Sequence, residues 1–247
     1  MYNIPKIFEQ FSDLLAIETT RHGGLSQKPY YSLNLGYNSG DDIEIVTKNR
    51  KRLYDALGIR EKRVVYANQI HEDHILVVTR CGAYDGYDAL ITQNKNAYLS
   101  VTVADCTPIL IYDSVQKVVA AVHAGWKGTV AEIVAKTVQR MEKVFKTKPE
   151  DCFAYVGTCI DERSFEVDQD VAQEFKIQQK RYDPVKKKFY VDLKGANKLQ
   201  LLNSGIPEHQ IEVSPYSTVL DNQNFFSYRK EKGTTGRMMV MIGIKKV

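Results

Sequence analysis

No Cys-x-x-Cys pair occurs in this 247-residue chain, although it has four cysteines, Cys81, Cys106, Cys152 and Cys159. That spacing is needed for a zinc knuckle or a dithiol redox motif, so neither is expected. The chain also lacks long apolar runs. The longest, such as residues 118–122, are far too short to span a bilayer. The opening residues Met1-Tyr2-Asn3-Ile4-Pro5-Lys6 do not form a basic region followed by an apolar run, so no signal peptide is expected there. A cytoplasmic location with reduced thiols follows as an expectation. There is no repeat, low-complexity linker or shift of composition, and one domain over 1–247 is expected. The charge excess is small, 34 Lys and Arg against 30 Asp and Glu, and demands no nucleic acid. The basic stretch Lys186-Lys187-Lys188, near Lys180-Arg181, reads as a solvated loop.

The chain is 43% hydrophobic, enough to bury a substantial core. Strand-like and helix-like segments alternate, which predicts an α/β fold. Residues 42–57 read as a helix: Asp41 or Asp42 caps it, Ile43, Val46, Leu53 and Leu57 lie near one face, and Gly58 stops it. Residues 129–145 carry the clearest three–four spacing, through Val130, Ile133, Val134, Val138 and Met141. Aspartate-capped helices are predicted over 168–175 and 192–203. Strands are predicted over 16–19, 64–66, 75–79, 89–92, 99–103, 109–112, 118–122, 154–157, 211–214 and 239–244. Leu99, Val101 and Val103 alternate with Ser100 and Thr102, the pattern of a half-buried strand.

The chemistry-bearing residues fall at the ends of these strands. His71 lies in Gln69-Ile70-His71, Cys106 in Asp105-Cys106-Thr107-Pro108, and His123 ends the apolar run before Gly125-Trp126-Lys127-Gly128. Two imidazoles and one thiol can hold zinc with its fourth position open, the catalytic pattern. The same residue types can form a Cys–His nucleophile pair. His74, three residues after His71, has acidic neighbours and is set aside. The turn after His123, with Lys127 beside it, offers an anion site at a helix start. Arg21 and His22, ahead of Gly23-Gly24, and the arginines of the segments 225–230 and 233–238 are further candidates for binding anionic groups. Tyr2, Tyr30, Tyr31 and Tyr37 suit either a half-buried rim or stacking on a flat ring.

Taken in order, the segments 20–26, 32–36, 69–71, 88–92, 104–109, 122–128, 226–229 and 235–238 resemble the laccase-domain family. Its members were first called polyphenol oxidases of the multicopper type. They were later described as purine nucleoside phosphorylases with adenosine deaminase activity, and some as peptidoglycan editing factors. The resemblance implies a multi-layer α/β sandwich with mixed sheets, similar to the cytotoxic necrotizing factor deamidase fold. It implies that His71, Cys106 and His123 are the metal-binding and catalytic trio. Two positions depart from the pattern: Asp161 replaces a loop glycine, and Ser217 stands where many relatives carry cysteine.

The expected function is zinc-dependent phosphorolysis of adenosine, inosine, guanosine or methylthioadenosine to base and ribose-1-phosphate. Arg21, Asn34, Gln69, Lys127 and Arg237 are expected to bind substrate or phosphate. Zinc lowers the pKa of water, which would account for adenosine deamination in the same pocket. The expected partners are small molecules only, with no nucleic acid and no membrane, in a monomer or homodimer. Two alternatives stand beside this. One is a cysteine amidohydrolase acting on a peptide or cell-wall precursor. The other is the copper-dependent phenol oxidation of the older family name, which sits poorly with five histidines and no His-x-His pair.

Overall fold

The computed structural model describes residues 1–246. Its largest elements are two six-stranded mixed sheets packed face to face. The first runs, edge to edge, through Tyr2–Asn3, Leu14–Thr19, Met238–Ile244, Tyr98–Val103, Val64–Asn68 and Gly82–Asp85. The second runs through Ile211–Val213, Cys152–Val156, Thr107–Asp113, Val118–Ala124, Ala89–Thr92 and Ile75–Val77. A small third sheet joins Glu166–Val167, Lys188–Val191 and Lys180–Asp183.

Period-two alternation explains the layering. Val118, Ala120 and Val122 face one way and pack with Ile133, Val134, Val138 and Met141 of the helix Ile133–Phe145. Val119 and Ala121 face the other way, into an apolar layer shared with Leu99, Val101, Val240 and Ile242 of the first sheet. The outer face of that sheet is covered by the helix Ile43–Leu57, whose Leu53 and Tyr54 pack on Tyr98, Met239 and Met241. The result is four layers, helix–sheet–sheet–helix. Asp42 caps Ile43–Leu57 by accepting from the Glu44 amide, and Gly58 ends it in the left-handed conformation at φ 67°.

Several predicted elements are corrected. Residues 129–145 do not form one helix. The chain makes a short helix Trp126–Val130, turns at Glu132 with φ 59°, and restarts at Ile133. The two pieces serve different cores: Trp126 and Val130 pack beside the small sheet, whereas Ile133 to Met141 pack on the second sheet. The predicted helix 168–175 shrinks to Gln169–Ala172, because only Ala172 and Phe175 of that stretch are buried. The basic segment is not a plain loop but a hairpin, Lys180–Asp183 paired with Lys188–Val191. The strand over 99–103 is not half-buried: Ser100 is 1% exposed, since both faces of its sheet are covered. Gly82–Asp85 pairs with Val64–Asn68 although its Gly-Ala-Tyr-Asp sequence carries no strand signal. No helix among the described residues is long and apolar enough to cross a membrane.

Candidate active site

The same alternation places the functional side chains. Cys106 is in phase with Pro108 and Leu110, and His123 is in phase with Val119 and Ala121, so both belong to the face between the sheets. Pro108 pairs with His123, which brings Cys106 to the end of the neighbouring strand. His71 arrives from the loop after Val64–Asn68. The donor atoms of His71, Cys106 and His123 lie within 4.8 Å of one another. The two imidazole rings meet edge to face, with centroids 4.7 Å apart. His123 is buried, Cys106 half-buried and His71 exposed.

Asp88 holds this arrangement together. It is fully buried at the start of Ala89–Thr92. Its Oδ1 accepts from His123 Nδ1 at 2.8 Å and from the His71 amide at 3.0 Å. Its Oδ2 accepts from the amides of Ile70 and Glu72. Burial alone would raise the Asp88 carboxyl, but these donors, His123 foremost, hold it below the usual carboxylate range. A donor at Nδ1 leaves His123 Nε2 to face the cluster. Burial likewise opposes charge on Cys106 and His123. Their mutual attraction outweighs it, lowering the thiol and raising the imidazole.

The backbone at the site is constrained. His71 has φ 62° and Asp105, just before Cys106, has φ 83°, both in the left-handed region that side chains other than glycine rarely occupy. Asp105 is pinned from several sides. Its Oδ1 accepts from Thr218 Oγ1 at 2.5 Å, its Oδ2 from the Arg229 amide at 2.6 Å, and its carbonyl from the Ile160 amide.

The residues suit a bound metal ion. The donor set is two nitrogens and one sulfur, with a carboxylate behind one imidazole, as zinc sites commonly have. A Cβ built on Gly125 would come within 3.3 Å of His71 Cδ2 and 3.4 Å of Cys106 Sγ, so a side chain there would intrude on the cluster.

The cluster lines a cavity of about 700 Å³. The cavity runs across the carboxyl ends of Val64–Asn68, Gly82–Asp85 and Tyr98–Val103, which are parallel to one another. Such ends are where ligands collect in α/β folds. Of the five residues expected to bind substrate or phosphate, Gln69 and Arg237 line it. Gln69 is locked to Thr102, accepting from its amide at 2.8 Å and donating to its carbonyl. Arg237 donates through Nη1 to the carbonyls of Thr235 and Gly236. The other three lie elsewhere. Asn34 is fully buried in a network with Ser39, Asp41 and the Arg237 amide. Lys127 stands 3.9 Å from Glu72 in a half-exposed pair. Arg21 lines a second cavity with His22 and Tyr31. His74 is apart from the cluster, bonded to the Gly86 carbonyl.

No sequence motif assigns a role to Asp88, whereas Arg229, one of the candidate anion-binding arginines of residues 225–230, lines the main cavity. An aspartate directly before a fully apolar strand is the available signal, because such a carboxylate must find donors when buried. The two departures from the family pattern prove to be partners. Ser217 Oγ donates to Asp161 at 2.5 Å and accepts from the amides of Val219 and Leu220.

Cysteine and histidine donors gathered beside a cavity define an α/β protein with a cluster that could hold a soft metal or serve as a thiol centre. Residues 15–245 match the family described as multi-copper polyphenol oxidoreductase laccase, and the chain belongs to that family. It is similar to purine nucleoside phosphorylase YlmD of Bacillus subtilis, 34% identical over 94% of this chain and 89% of that one. The purine nucleoside phosphorylase of Bacteroides thetaiotaomicron is 36% identical over 96% and 93%. The crystal structure of the Bacillus licheniformis hypothetical protein YfiH superposes with a TM-score of 0.92 at 34% identity, covering 96% of this chain and 95% of that one.

Proposed function

We propose that the protein is a zinc-dependent purine nucleoside phosphorylase. It would transfer the ribosyl group of adenosine, inosine, guanosine or methylthioadenosine to phosphate, with adenosine deamination as a second activity. The observation that carries this reading is the His71, Cys106 and His123 cluster lining a cavity, in a chain whose relatives bear that name. The cavity volume lies within the range of small-molecule sites.

Zinc held by the three donors would supply Lewis acidity at the reacting end. The chain's own residues do the rest. Asp88 fixes the His123 tautomer and, through its backbone bonds, the position of His71. Tyr84, Phe165 and Tyr228 give the cavity flat faces on which a purine can stack. Arg237 and Arg229 bring positive charge to it, which favours phosphate. The His71, Cys106 and His123 group is the one metal-type cluster found among the described residues, which speaks against a multicopper centre. Multicopper chemistry needs several such centres.

One observation favours a second reading. Cys106, His123 and Asp88 form a thiol–imidazole–carboxylate series, with the thiol lowered and the imidazole raised. That is the make-up of a cysteine amidohydrolase. His71 separates the two, being a metal donor in the first and dispensable in the second. The test is to incubate protein of measured zinc content with inosine and phosphate and assay ribose-1-phosphate. Phosphate-dependent product, lost in Cys106→Ala and in His71→Ala, is the expected result. Absence of product from zinc-loaded protein overturns the phosphorylase reading. Amide hydrolysis that survives His71→Ala establishes the second.

A further inference from the structure

The helix Ile43–Leu57 carries an arginine where its apolar stripe should continue. Val46, Arg50 and Leu53 follow three–four spacing, so position 50 faces inward. Arg50 is 3% exposed. Its guanidinium lies over two aromatic rings, 3.9 Å from the centre of Tyr37 and 4.8 Å from that of Tyr66. Nε donates to the Leu35 carbonyl at 2.8 Å. Nη1 is buried and has no hydrogen-bond partner. No carboxylate among the described residues forms a salt bridge with Arg50. Yet Arg50, Tyr37 and Tyr66 all line the main cavity.

An ionised group buried without a counter-charge is costly, and a guanidinium has five N–H donors to satisfy. Aromatic faces offset part of that cost but accept none of those hydrogens in the strong sense. The other two arginines of the cavity differ. Arg237 and Arg229 spend guanidinium donors on backbone carbonyls, two bonds each. Arg50 is therefore the cavity's least satisfied cation. It is also held rigidly by its stem and by two rings, which suits the planar, bidentate recognition of an oxyanion.

We propose that Arg50, clamped by Tyr37 and Tyr66, is an oxyanion-binding residue of the cavity and that its ligand is a phosphate group. The identity of the anion rests on the phosphorylase reading; the capacity for one rests on the unpartnered Nη1 and on the cavity that Arg50 lines. The phosphate is either the free co-substrate or one carried by the nucleoside.

The test measures binding directly, by calorimetry at constant ionic strength, with inorganic phosphate, with inosine 5′-monophosphate and with inosine. Wild type is compared with Arg50→Met and Arg50→Lys. Arg50→Met should weaken inorganic phosphate at least tenfold and leave inosine within twofold. Arg50→Lys keeps the charge but not the fork, and should fall between. Weakening confined to the 5′-monophosphate would place the anion on the nucleoside. A purely structural arginine predicts the reverse pattern: lost thermal stability with anion binding intact. Phosphate and nucleotide affinities unchanged in Arg50→Met, or absent from wild type, overturn the proposal. Should Arg50→Met not fold, unchanged affinity in Arg50→Lys does so. Phosphate binding that depends on Arg50, without any ribose-1-phosphate formed, would retire the phosphorylase reading and leave the oxyanion site standing.

Discussion

Two cavities of this molecule each contain an arginine and a histidine, and they differ in what the fold has already used. In the smaller one, Arg21 donates to the carbonyls of Tyr31 and Asn222, pairs with Glu231 at 2.9 Å and stacks on Phe226. His22 is bonded to Asn224. Little capacity is left for a ligand, and the residues act as braces between the segments around 20–32 and 222–231. In the larger cavity, three donor atoms converge without a protein group between them, and Arg50 Nη1 stays unpartnered. Residue type proposes a binding site; unspent hydrogen-bonding and donor capacity decides it.

The contrast can be broken most severely at Cys106. Cys106→Ala should abolish both zinc binding and nucleoside cleavage while leaving the circular dichroism spectrum unchanged; a mutant that keeps phosphorolysis at the normal rate sinks the assignment. Next in size is Asp88→Asn, which exchanges an acceptor of four bonds for a mixed amide. Zinc affinity or turnover should fall about 10- to 100-fold, the usual effect of losing such a partner, and metal titration reads it out.

On the other side of the contrast, Arg21→Met should leave phosphate binding untouched. It should cost about 1–3 kcal/mol of stability in chemical denaturation, through lost hydrogen bonds to charged and backbone groups. That penalty should depend on pH in a defined sense. Burial would raise the Glu231 carboxyl, but Thr235, the Ser227 amide and Arg21 bring it below its ordinary 4.5. A lowered folded value means the stabilisation is complete above pH 4.5 and is lost as pH falls through the folded value. The difference between wild type and Arg21→Met should narrow accordingly; a gap that widens on acidification contradicts the ion pair. The smallest effect is expected at Lys127. Its pair with Glu72 is long and half-exposed, so Lys127→Met should change stability by less than about 0.5 kcal/mol and leave turnover unaltered.

Much of the metal-type cluster is legible in the amino-acid sequence. The strand-end positions of His71, Cys106 and His123 follow from where apolar runs stop, and the fold brings those three residues together. Asp88 is not legible in the same way, because its value comes from lying opposite His123 across a strand pair, with Ala89 beside Val122. Register of that kind is a tertiary fact. Arg50 is half-visible: its place in the apolar stripe is written in the spacing, but the aromatic clamp comes from Tyr37 and Tyr66, which are distant in sequence. Glu132 breaks a helix that periodicity favours, because the residues on its two sides pack against different cores. Arg21 and Lys127 look like anion binders by type, and only their neighbours reveal how their charges are used.

Gly125 carries a last consequence. A side chain at this position would press on His71 and Cys106, its Cβ coming to 3.3 and 3.4 Å from them. One added methyl group would leave every donor atom in its chemical state and still crowd His71 and Cys106. Replacing Gly125 with alanine therefore offers a way to sort metal chemistry from thiol chemistry without deleting either participant.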